Sequence, residues 1–162
     1  MIDELLDLAE ELAERDEAIA KRKAISMAYY AAFHALCELV ADALVEDKES
    51  PLYSKIYRHI EHGIIDKSGA FSLDDKPYET MNEVRDQLRN LRQRRETSDY
   101  SPFVQSEILD AQDAITRGHI VVRLIRSIGL ENRRELALNI ILGNSKKSRG
   151  SGPSETRIQN EK

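Results

Sequence analysis

Apolar residues recur along this chain in steps of three and four, the spacing of one helix face. Leu5, Leu8, Ala9 and Leu12 predict a first helix over about 3–14, and Ile25, Tyr29, Ala32, Leu36, Val40 and Leu44 a second over about 17–45. Ser50-Pro51 is an N-cap followed by proline at the first helical position. It opens a third helix, which is expected to end at Gly63 in a left-handed cap. Residues 64–76 mix Gly, Ser, Asp and Lys without period and read as a loop. Met81, Val84, Leu88 and Leu91 restore a helical stripe over about 77–96. Ser101-Pro102 starts another helix, with Val104, Ile108, Ala111, Ile115, Gly118, Val122 and Ile125 stepping four-three-four-three. A glycine inside such a seam costs about 1 kcal/mol against alanine, so Gly118 predicts a close helix approach. Gly129 ends that helix, and a short one follows through Ile141. No repeat and no strand pattern stands out.

The chain therefore reads as all-α, an antiparallel bundle of four to five helices over residues 1–143. Residues 144–162, rich in Lys, Ser, Arg and Gly, read as a disordered basic tail. Its Lys146, Lys147 and Arg149 are most simply solubilising. At 162 residues the chain is long enough for one self-sufficient core. No stretch is expected to span a membrane, and the acidic amino terminus is unlike a signal peptide. A single cysteine, Cys37, permits no internal disulfide and reads as a small buried hydrophobe, in keeping with a reducing, cytoplasmic setting.

The net charge of −5 hides an asymmetry. Residues 1–20 carry eight acids and one arginine, whereas residues 85–95 carry five arginines and one aspartate. A local field of that kind serves an anionic ligand whatever the total charge. Arg85, Arg89 and Arg92 share one flank of their helix at i, i+4 and i+7, with Arg94 and Arg95 beyond. Arginines near a helix C-terminus favour the macrodipole, and their stems cover apolar surface. The same row also makes a ridge of bidentate phosphate donors.

A second row, Ser26, Tyr30, His34 and Glu38, runs beside the core stripe of the second helix as a hydrogen-bonding ladder. It is either a polar seam between helices or part of a site. His34 reads structurally as a core-edge histidine bonded to Tyr30 or Glu38. His59-x-x-His62 lacks a third or fourth ligand at zinc spacing and is read as helix capping, so no metal is assigned. His119 reads as structural. No phosphate loop, nucleophile motif or dinucleotide fingerprint is present, so no cofactor is assigned.

Taken in order, Arg22, the run Ile-Ser-x-Ala-Tyr-Tyr-Ala-x-Phe-His ending at His34, Tyr57-Arg58, His62-Gly63 and the stretch Leu91–Tyr100 resemble the HEPN superfamily over roughly residues 2–130. The resemblance implies a prokaryotic helical domain associated with RNA cleavage or with RNA and nucleotide binding. It also implies an active region at the end of the arginine-bearing helix, and a homodimer with both such helices facing one groove. Nuclease members carry an arginine that steadies phosphate and, some four to six residues on, a histidine that handles protons. Here Asp99, followed by Tyr100, stands where that histidine would be, and the next histidine is His119. A carboxylate is a poor general acid at neutral pH and repels phosphate. It is better suited to holding an arginine or to starting a helix.

On that resemblance Arg92, His34 and Asp99 are the candidate catalytic residues, with His34 replacing the missing histidine from another helix. Arg85, Arg89, Arg95, Tyr100 and Tyr30 are the candidates for binding RNA or a nucleotide. The function expected is binding of RNA or a nucleotide-type ligand in an arginine-lined cleft, extending to a metal-independent endoribonuclease of a toxin or defence system. The alternative is a non-catalytic interaction module that partners a nucleotidyltransferase or acts as an antitoxin-like neutraliser.

Overall fold

A computed structural model describes residues 1–74, 76–100 and 108–145. Six α-helices make up most of it: α1 (Ile2–Ala13), α2 (Ala18–Leu44), α3 (Pro51–His59), α4 (Glu79–Tyr100), α5 (Ile108–Ser127) and α6 (Leu130–Ser145). The fold is all-helical, with one helix more than the upper expectation. The Ser101-Pro102 helix start, Val104 and the tail beyond Ser145 lie outside the described residues. Helix α6 runs past both Ile141 and the expected boundary at residue 143.

Helix α2 is the axis of the bundle, and α1, α3, α4, α5 and α6 all pack on it. Its composition permits this: Ala24, Ala28, Ala31, Ala32 and Ala35 are buried small residues that let neighbours approach from several sides. It contains an 18-residue stretch of mean hydropathy 1.3, long and apolar enough by length and composition to cross a membrane. That corrects the expectation that no stretch reaches this length. Most of the stretch is buried inside the bundle, as an enclosed core helix must be. The predicted close approach at Gly118 is present. A Cβ built there would lie 3.0 Å from Leu6 Cδ2 and 3.2 Å from the Ala28 carbonyl oxygen, so α5 sits directly on α1 and α2.

The segment between α3 and α4 departs most from expectation. Ser50 caps α3 as predicted, its hydroxyl accepting from the Leu52 N–H at 3.1 Å. Yet α3 ends at His59, and no described glycine has a positive φ, so Gly63 is not a left-handed cap. The chain instead makes two 3-10 turns, His62–Asp66 and Ser68–Phe71. A two-residue pairing follows, of β1 (Ser72–Leu73) with β2 (Lys76–Pro77). Burial explains this: Ile64, Ile65 and Phe71 are fully enclosed and Ala70 nearly so. Four apolar side chains with no helical or strand period pull the supposed loop onto the core. Gly143 lets α6 press on this segment, since a Cβ there would lie 3.0 Å from Ala70 Cβ. Lys67 Nζ also donates to the Gly143 carbonyl. The first 3-10 turn thus lies as a strap against α4 and α6.

Candidate nucleic-acid interface

Four apolar side chains of α4, Met81, Val84, Leu88 and Leu91, are fully buried. The next two positions of the same three-four spacing are Arg95 and Ser98, so the buried stripe becomes polar at the helix end. Ser98 is 5% exposed and the Arg95 side chain 16%. A part-buried guanidinium needs partners, and α2 supplies them. Arg95 Nη2 donates to Tyr30 Oη at 3.1 Å. Its Cζ lies 5.7, 5.6 and 5.9 Å from the ring centres of Tyr29, Tyr30 and Tyr100, within cation–π range. Arg95 Nε is 3.4 Å from Asp99 Oδ2 but makes no hydrogen bond, so that contact is one of charge. Asp99 in turn accepts from Ser26 Oγ at 2.9 Å and faces Lys23 Nζ at 3.6 Å.

The strap brings His62 against the same core. His62 Nδ1 is 2.6 Å from Tyr29 Oη, and its ring centre is 4.1 Å from that of Phe33. Among the described residues Nε2 has no hydrogen-bond partner, and the residue as a whole is exposed. Partial burial lowers the His62 pKa from its ordinary value, and the positive charges of Arg95 and then Arg92 lower it further. His62 is therefore a neutral imidazole at pH 7 with one fixed nitrogen and one open. Burial also pushes the Tyr29 hydroxyl well above the usual tyrosine range, so it stays protonated.

Arg92 holds the strap down. Nη1 donates to the His62 carbonyl at 3.1 Å, Nη2 lies 3.0 and 3.1 Å from the two Asp66 carboxylate oxygens, and Nε is 3.8 Å from Glu96. Arg89 Nε reaches Asp66 at 3.7 Å.

A family model for the HEPN domain matches residues 3–128, more than half of the chain. The chain belongs to the HEPN family. No curated protein and no solved structure matches it. HEPN domains are associated with RNA cleavage or nucleotide binding in toxin and defence systems, and they are all-helical, which is the class of architecture found here.

Within this HEPN chain the expected residues do not all come together. Arg95, Asp99, Tyr30 and Tyr100 form one cluster, and Arg89 and Arg92 share Asp66 beside it. His34 lies further along α2, where Nδ1 is 2.8 Å from Tyr57 Oη and the two rings stack. Its partner is thus Tyr57 and not Tyr30, whose hydroxyl is taken by Arg95, nor Glu38. Burial lowers the His34 pKa. Arg85 turns to its neighbour Asp86 at 3.3 Å and does not join the others. Arg94 faces the opposite way, to Asp113 at 2.7 Å on α5. It lines a separate cavity of about 310 Å³ with Asn90 and Asp110.

The sequence reads His62 as a helix cap, whereas the structure places it beside Arg92 and Arg95. No spacing announces it, because Tyr29 and Arg92 are 33 and 30 positions away along the chain. Arg95 did carry a usable signal, as the next member of the buried stripe of α4.

Proposed function

We propose that the face formed by His62, Arg89, Arg95 and Tyr100 binds RNA, and that His62 handles the proton in metal-independent cleavage. The observation that carries this reading is a neutral, half-open imidazole anchored by Tyr29 beside a part-buried arginine. When Nδ1–H donates to Tyr29 Oη, the Nε2 lone pair is free to take a proton from a ribose 2′-hydroxyl. The 2′-oxygen then bonds to the adjacent phosphorus, and the bond to the 5′-oxygen breaks. Water protonates that leaving oxygen, and a cyclic phosphate remains on the other fragment. Arg95 steadies the charge that develops on the phosphate oxygens.

Binding is tested by fluorescence anisotropy with a labelled single-stranded RNA on the wild-type chain and on Arg89→Ala and Arg95→Ala. Each substitution is expected to weaken binding and to lower the salt-dependence slope by about one. RNA binding that neither substitution affects contradicts the reading.

One observation favours a second reading. Asp66, Glu96 and Asp99 already offset the charge of Arg92 and Arg95. A self-neutralised surface suits a non-catalytic module that docks on a protein such as a nucleotidyltransferase or an antitoxin-like partner. A chain that folds but binds no RNA supports that alternative.

A further inference from the structure

Two arginines one helical turn apart, Arg89 and Arg92, converge on the single carboxylate of Asp66. That carboxylate is 53% exposed and sits at the rim of the strap, and among the described residues these two guanidinium groups are its partners. The backbone around it is fixed independently. Ile64 and Ile65 are fully buried on one side, and Lys67 is tied to the Gly143 carbonyl on the other. The Asp66 side chain can therefore swing out while the strap, and with it His62, stays in place.

We propose that Asp66 is an internal stand-in for a ligand anion, and that Arg89 and Arg92 form a subsite for a terminal phosphate monoester on RNA or a nucleotide. The identity of that ligand rests on the RNA-binding reading above. The choice of a monoester over a backbone diester follows from charge. A tethered carboxylate competes at high effective concentration. A diester, carrying one negative charge, only replaces like with like. A monoester carries close to two charges at pH 7, and it gains against both arginines what the carboxylate cannot supply. Asp66 thus acts as a selector, excluding internal phosphates and admitting a phosphorylated end next to His62.

The test is anisotropy of one internally labelled single-stranded RNA in three forms, bearing a 5′-phosphate, a 3′-phosphate or two hydroxyl ends. Each is titrated with the full wild-type chain, Asp66→Asn and Arg89→Ala, with inorganic phosphate binding measured separately. On the wild type, one phosphorylated form is expected to bind about tenfold tighter than the hydroxyl form, and which form it is identifies the end. Asp66→Asn is expected to tighten binding of all three and to narrow the preference; Arg89→Ala is expected to abolish it. Equal binding of the three forms, unchanged in Asp66→Asn, overturns the subsite and leaves the RNA-binding reading standing. If Asp66→Asn gains inorganic phosphate binding while neither protein binds RNA, the subsite stands and the RNA reading falls. Binding of neither RNA nor phosphate by either protein overturns both.

Discussion

Tyr29 Oη and His62 Nδ1 lie 2.6 Å apart, and this contact joins the central helix of the bundle to the strap that carries the open histidine. Tyr29 is 1% exposed, so with His62 in place its hydroxyl is shielded from water. Arg92 grips the backbone of the same histidine from α4. The ring and the main chain of His62 are therefore fixed from two different helices.

Tyr29→Phe keeps the ring and removes the hydroxyl. Loss of one part-buried hydrogen bond is expected to lower unfolding free energy by about 1 kcal/mol. It is also expected to shift the His62 ring resonances, because Nδ1 loses its partner. Chemical denaturation and a histidine-detected NMR spectrum check both, and unchanged His62 signals would count against the contact.

Stability is expected to fall as the solution is acidified from about pH 6.5 towards 5, before most carboxylates titrate. The sign follows from the direction of the shifts: His34 and His62 both have lowered pKa values in the fold. Above about pH 6.5 each is neutral in both folded and unfolded chains. Below it the unfolded chain takes up protons first, so the folded state loses ground until the lower, folded values are passed. Thermal unfolding across that window checks this. The double substitution His34→Gln with His62→Gln should flatten the dependence.

Arg92→Ala should loosen the strap more than the bundle. Ile64 N–H donates to the Glu61 carbonyl at 3.0 Å and Lys67 N–H to that of Ile64 at 2.9 Å, and these amides report on the strap directly. Their hydrogen exchange is expected to quicken about tenfold, the equivalent of one charge-assisted bond, while amides in the middle of α5 change little. Uniform acceleration through the whole chain would contradict a local role.

Gly118→Val is expected to destabilise the fold by more than about 2 kcal/mol, despite the better helix propensity of a non-glycine residue. The neighbour 3.2 Å from a Cβ at that site is the Ala28 carbonyl, part of the α2 backbone, which has little room to move. A melting temperature at or above that of the wild type would show that the helices are not so closely apposed.

Much of the architecture is legible in the sequence because α2, α4 and α5 bury the periodic stripes it shows, and Ser50-Pro51 and Gly118 carry local chemistry that does not depend on distant partners; α1 forms as expected but buries Ile2, Leu6, Ala9 and Ala13, leaving Leu8 exposed. The strap is not legible for the converse reason. Ile64, Ile65, Ala70 and Phe71 are buried by tertiary packing without any period, and glycine, serine and lysine between them imitate a loop. The same limit governs the site. A row of arginines on α4 is visible, but which of them turns outward is decided by Asp66, Asp86, Asp99 and Asp113, each met only in the folded chain or as a flank of the helix. Arg85 and Arg94 are drawn away from the face, while Arg95 is held part-buried at its base by Tyr30. His34 has the more conspicuous sequence setting, yet Tyr57 claims it, and the histidine beside the arginines is His62.

The most direct measurement of the central claim is incubation of single-stranded RNA, with chelator and without added metal, with the wild-type chain, His62→Gln and His34→Gln. Cleavage by the wild type and by His34→Gln, lost in His62→Gln, is the result predicted. Cleavage that survives in His62→Gln and disappears in His34→Gln would contradict the assignment of His62.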